Sequence, residues 1–158
     1  MVSLIVSPIR ALARNEQRAT DTHYNFPVKE ISLRTDRRCQ LLEVTRLVEE
    51  AVASSGISEG ICVLYVPHTT AGITVNEAAD PSVASDISST LSKLVPADTG
   101  YSHSEGNADS HIKSVLVSPS ITLIIHRGRL VLGTWQGVFF CEFDGPRNRK
   151  LLVKVVPG

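Results

Sequence analysis

Residues 120–156 read SITLIIHRGRLVLGTWQGVFFCEFDGPRNRKLLVKVV, and the fold class turns on them. Runs rich in β-branched and aromatic residues, Ser120–Ile125, Arg129–Leu132, Gly137–Phe143 and Lys150–Val156, predict consecutive strands. Gly128, the Trp135-Gln136 pair and Asp144-Gly145-Pro146 supply the breaks between them. Upstream, Val28–Arg34 alternates as a strand, and ICVLYV at 61–66 is too short for a helix between Gly60 and Pro67. Gly72–Asn76 completes the early strands. Cys39–Ser55 carries Leu41, Val44, Val48, Ala51 and Val52 at helical spacing, with Asp36 as N-cap and Gly56 as stop. Asp80-Pro81 starts a second helix whose stripe is Val83, Ile87, Leu91 and Leu94, and a short third helix begins near Ser110. Late strands run together after helices that alternate with only some early ones. That order predicts a single α+β domain with a mainly antiparallel sheet and two to three helices.

Residues 28–158 form this domain. Residues 1–27 read as an N-terminal extension, with a short strand at Val2–Val6, a short helix at Arg10–Arg18 and a connector at Asn25-Phe26-Pro27. The chain has 158 residues, enough to bury a core without disulfide or metal staples. Its 16 Lys+Arg balance 16 Asp+Glu, so no global field favours nucleic acid or an anionic membrane. Aromatics at 5% argue against a base-stacking platform. Cys39, Cys62 and Cys141 are scattered and odd in number, unlike a disulfide framework or zinc finger, and Cys62 and Cys141, inside apolar runs, read as buried thiols in a reducing compartment. No apolar run approaches a membrane span, and Pro8 and Arg10 interrupt the apolar start too early for a signal core. The expected location is the cytoplasm.

Polar residues capable of chemistry concentrate at element ends. His68 follows the buried strand in PHTTAG, and Asn76, Glu77 and Asp80 lie between the next strand and its helix. The loop YSHSEGNADSH (101–111) places His103, Glu105, Asn107, Asp109 and His111 close together. Glu142 and Asp144 end an apolar run. Imidazoles with carboxylates suit a divalent metal of the Zn or Mg class, with His68, His103 and His111 as candidate ligands. The spacing His103-x7-His111 matches no helix-borne pair, so loop capping and surface hydrogen bonding stay open for both. His68 equally suits a hydrogen bond to its turn, and His23 and His126 stand outside any cluster.

Positive charge gathers late, at Arg127, Arg129, Arg147, Arg149, Lys150 and Lys154, with Lys113 after His111. Lys113, Arg129 and Arg147 are candidates for an anionic ligand; Lys150 and Lys154 equally suit a solvated edge strand. Trp135 is a candidate ring-stacking partner or a core anchor. Gly128 to Thr134 has Walker-like glycine spacing without the lysine, and neither G-x-S-x-G nor G-x-G-x-x-G occurs.

Three blocks, HTTAGITVNEAADPSV (68–83), YSHSEGNADSHIKSVL (101–116) and GRLVLGTWQGVFFCEFDGPRNR (128–149), resemble the YjbQ-like family, also called the secondary thiamine-phosphate synthase family. The resemblance implies a β-sandwich-like α+β core, a homotrimer, and low thiamine-phosphate synthase activity secondary to another role. It implies functional positions at His68, Glu77, Asp80, His103, Asn107, His111, Trp135, Gln136, Glu142 and Arg147. Of these, Glu77, Asp80, Asn107, Gln136 and Glu142 are the expected catalytic group. Ala78 stands where asparagine is common, and Arg37-Arg38-Cys39-Gln40 replaces a more usual stretch. The expectation is a metal-assisted enzyme acting on a phosphorylated small molecule; the alternative is a non-catalytic, metal- or anion-binding trimeric assembly protein.

Overall fold

A computed structural model describes residues 27–158; the expected strand at Val2–Val6 and helix at Arg10–Arg18 lie outside them. In chain order the elements are β1 (Val28–Arg34), β2 (Gln40–Glu43), α1 (Thr45–Ser55), β3 (Glu59–Tyr65), β4 (Ala71–Glu77) and α2 (Pro81–Leu94). They continue with α3 (Ala108–Val117), β5 (Ser120–His126), β6 (Arg129–Leu130), β7 (Gln136–Glu142) and β8 (Asn148–Pro157). Two antiparallel sheets result, one in the order β1-β8-β3-β5-β6 and one in the order β2-β7-β4. The α+β, mainly antiparallel expectation holds.

The core lies between the sheets. Cys62, Leu64, Ile125, Leu151, Val153 and Val155 from the larger sheet meet Ala71, Ile73, Val138 and Phe140 from the smaller. Val48, Ala51 and Val52 of α1 enter the same cluster, which explains that helix's spacing. Phe139, Cys141 and Phe143 bury on the other face of β7, against Leu41, Ala84, Leu91 and Val117. β7 is thus covered on both faces, as a continuous apolar run requires. Burial pushes the thiol of Cys62 up to about 11 and that of Cys141 to about 12, so both are inert core groups.

Two local expectations are corrected. The helix expected from Cys39 begins only at Thr45, because Gln40–Glu43 pairs with Phe139–Glu142 as a strand. Leu41 and Leu42 then point to opposite faces, into separate apolar clusters, a period of two that a helix cannot give. Asp36 is therefore no N-cap, although Gly56 does end α1 in the left-handed conformation, with φ of 70°. The apolar stripe of α2 is also less buried than expected. Asp80 caps the helix through Ser82 N, but no α2 residue is fully buried and Leu94 is exposed. An open groove of about 690 Å³ separates the helix's serine-bearing face from β2, with Phe139 at its base.

Candidate functional site

Polar side chains cluster where β7 ends and the chain turns through Asp144–Arg147 toward β8. Glu142 is fully buried there and accepts five hydrogen bonds. Oε1 takes the amides of Phe143 and Asp144 at 3.0 and 2.9 Å and Arg149 Nη2 at 2.6 Å; Oε2 takes Arg149 Nε at 2.7 Å and Thr35 Oγ1 at 3.0 Å. Burial opposes its ionisation, but these donors outweigh burial and hold the carboxyl below its usual range. Arg149 Nη2 also donates to Thr70 Oγ1 at 2.8 Å. With every oxygen engaged inside the chain, Glu142 fastens the fold at this end.

Next to it, the N-terminal half of α3 carries a second buried group. Asp109 accepts Lys113 Nζ at 2.7 Å and Arg38 Nη2 at 2.8 Å. Desolvation opposes ionisation here too, and is outweighed by Lys113 and then Arg38. Ser110 Oγ donates to Phe143 O at 2.6 Å, seating the helix on the turn. Lys113, a candidate anion ligand from the sequence, is buried one helical turn from Asp109, and its ammonium is engaged within the fold.

The third group faces solvent. Asn107, the N-cap residue of α3, donates Nδ2 to Asp144 Oδ2 at 3.1 Å, and Arg147 Nη2 joins the same oxygen at 2.7 Å. Asn107 Oδ1 is buried and has no hydrogen-bond partner among the described residues. One turn into the helix, the His111 ring meets that of His103 edge to face, centroids 5.3 Å apart. Glu105 Oε2 is 3.7 Å from His103 Nε2.

His68 is committed elsewhere. Its Nε2 accepts Lys150 N at 2.9 Å, which leaves the proton of the neutral ring on Nδ1. Burial, then the Arg149 charge, lowers its pKa. Among the described residues no three His, Cys, Asp or Glu side chains converge as ligands within the chain, so His68 does not join His103 and His111. For a divalent metal the donors shown together are the two imidazoles, with Glu105 beside His103, a partial set.

The remaining expected residues lie at the opposite end of the β4–β7 ladder. Ala71 pairs with Glu142, whereas Glu77 pairs with Gln136, six residues along. Ala78 N donates to Trp135 O at 2.8 Å, and Gln136 Oε1 takes Gly133 N at 2.7 Å. Trp135 is 64% exposed, so it anchors no core. Asp80 Oδ1 holds Ser82 N at 2.8 Å. Arg129 is exposed on β6, at the edge of the other sheet. Arg38 and Arg149 were not among the expected site residues, yet one signal was available for Arg149. It occupies an inward position of β8, in phase with Leu151, Val153 and Val155, where a charge requires a buried partner.

The fold and this polar end define a class: a two-sheet α+β sandwich with α2 and α3 over the smaller sheet and paired histidines at a helix start. The profile of the family described as UPF0047 protein YjbQ-like matches residues 29–158, and the chain belongs to that family. A UPF0047 protein of Methanocaldococcus jannaschii is 52% identical over 124 residues, covering 78% of this chain and 90% of its own length. The UPF0047 protein YugU of Bacillus subtilis is 43% identical over 130 residues, covering 82% and 98%. The crystal structure of a YjbQ/UPF0047 protein from Clostridium acetobutylicum superposes with a TM-score of 0.80 at 51% identity, over 81% of this chain and 99% of that one.

Proposed function

We propose that the protein is a metal-assisted enzyme acting on a phosphorylated small molecule, with slow thiamine-phosphate synthesis among its activities. The observation that carries this reading is the solvent-facing group at the start of α3. His103 and His111 meet there, His111 one helical turn after Asn107, whose buried Oδ1 has no partner among the described residues. In thiamine-phosphate synthesis the thiazole nitrogen attacks the pyrimidine's methylene carbon. A C–N bond forms as the C–O bond breaks, and pyrophosphate leaves with the electron pair. A bound divalent ion would neutralise charge growing on that leaving group. Arg38 and Arg147 are suited to hold its oxygens, since each guanidinium is about half exposed while a carboxylate behind fixes its position. His103 and His111 would hold the ion, and Asn107 Oδ1 would orient a water or amino group. We place the active form in the cytoplasm as a homotrimer. Among the described residues no helix is long and apolar enough to cross a membrane.

A second reading, a non-catalytic metal- or anion-binding trimeric assembly protein, draws on Glu142, Asp109 and Lys113, whose bonds are all internal. Elemental analysis of protein purified without chelator, paired with a synthase assay, separates the two. The enzyme reading expects bound metal, slow product formation, and loss of both in His111→Ala. Metal without turnover supports the assembly protein.

A further inference from the structure

We propose that the site at His103 and His111 is completed by a second copy of this chain, whose Trp135, with Gln136 and Glu77, seats against the exposed face of α3. The inference rests on reading the histidine end as the site. It begins from a separation. Glu77 and Gln136 lie six ladder positions from Ala71 and Glu142, about 20 Å at roughly 3.3 Å per residue. Within one chain, therefore, the Trp135 loop and the turn after Glu142 sit at opposite ends of the same strands.

Each end presents what the other lacks. On α3, Ile112, Val115 and Leu116 are exposed at i, i+3 and i+4, and Val115 is 80% exposed. His111 precedes Val115 by four residues, so the imidazole shares this apolar face. The opposite end offers the exposed indole of Trp135, a side chain suited to anchoring an interface. Charge is complementary as well. Arg38 and Arg147 are 47% and 52% exposed, whereas their partners Asp109 and Asp144 are 1% and 12%, so these two pairs turn positive charge outward, with one exposed carboxylate, Glu105, beside His103. The Trp135 end carries Glu43, Glu77 and Asp80, and Arg46 there is already paired with Glu50 at 3.6 Å. A basic, apolar end and an acidic, aromatic end on one molecule make a head-to-tail contact, which closes into a ring when its rotation permits.

Trp135 is the chain's single tryptophan and thus a site-specific reporter. Two variants divide the contact: His103→Ala/His111→Ala keeps the indole without the imidazoles, and Trp135→Phe keeps the imidazoles without the indole. Copper(II), which binds imidazole and quenches nearby indole, is the probe. Expected is strong quenching in co-assembled mixtures, with native mass spectrometry confirming both chains, and little quenching in His103→Ala/His111→Ala alone. Mixed assemblies that copper leaves as bright as that variant alone overturn the shared site. The fluorescence result needs no turnover, so quenching across copies in a wild-type protein without synthase activity sustains the shared contact and removes the enzyme reading. Where wild type is active, equimolar co-assembly of His111→Ala with Trp135→Ala restores roughly one quarter of wild-type activity, because each junction draws both intact halves with a chance of one half times one half. Native-like circular dichroism of each variant is the control; active mixtures without copper quenching overturn the contact and leave the enzyme reading standing.

Discussion

Arg149 on β8 and Glu142 on β7 belong to different sheets, and their buried ion pair, at 2.7 and 2.6 Å, joins the two at the end where the site lies. Thr35 from the end of β1 and Thr70 before β4 complete the clasp. The carboxylate thus holds in place the Asp144–Arg147 turn, on which Asn107 and α3 depend.

Glu142→Ala should destabilise the fold by about 3–5 kcal/mol, since it leaves Arg149 buried and uncompensated. Urea denaturation measures this. A double variant, Glu142→Leu/Arg149→Met, should recover most of the loss. If Glu142→Ala instead stays as stable as wild type and loses only activity, the residue acts in catalysis directly.

Lys113 and Asp109 form a second buried pair at 2.7 Å. Asp109→Ala should cost about 3–5 kcal/mol, because it strands the Lys113 ammonium. Arg38→Ala, which removes the half-exposed partner of the same carboxylate, should cost about 1 kcal/mol or less. Equal losses in the two variants would show that Arg38 is as structural as Lys113.

His68 gives the protein a pH-dependent stability. Its pKa is lowered from 6.5 in the folded chain, so the unfolded state binds the proton more tightly. The stabilisation is complete above pH of about 6.5 and declines as pH falls toward the folded value. Asp109, Glu142 and Asp144 also have lowered pKa values, and their contributions fade only in the carboxylate range below about pH 4–5. Thermal melts between pH 7 and pH 5 should therefore show a slope that His68→Gln flattens. An unchanged slope in that variant assigns it to other histidines.

His111→Ala should remain folded and lose synthase activity by about 10²–10⁴-fold, the usual cost of losing an acid–base or ligand group. Among the described residues the imidazole meets the His103 ring and joins no core cluster, so truncation spares the core. Full activity in a folded His111→Ala would move the site away from α3.

Element types were legible wherever local pattern and burial agreed. Val28–Arg34 alternates and is a strand; Asp80-Pro81 starts a helix; Gly56 stops one. Gln40–Glu43 reads as helix in the sequence because apolar residues at Leu41, Val44 and Val48 satisfy a helical stripe, while Leu41 and Leu42 also satisfy a strand covered on both faces. Only pairing with β7 separates the two periods. Leu94 continued the α2 stripe on paper, yet the helix touches the small sheet through Ala84 and Leu91 and leaves its last turn in solvent.

The chain's sequence by itself determined the α+β class, most of its strands and the membership of its family, because hydrophobic period, turn residues and long motif blocks are local properties. It also placed His103, Asn107 and His111 in one loop, while Arg147 joins them only through Asp144 in the folded chain. Which polar groups are spent inside the fold was decided only by the tertiary structure. Lys113, Glu142 and His68 find their partners one helical turn away, on another sheet, and on an adjacent backbone amide. Register, too, lay beyond local reading: the pairing of Glu77 with Gln136 and Ala71 with Glu142 sets Trp135 apart from the histidines, since strand pairing depends on contacts between residues distant in sequence.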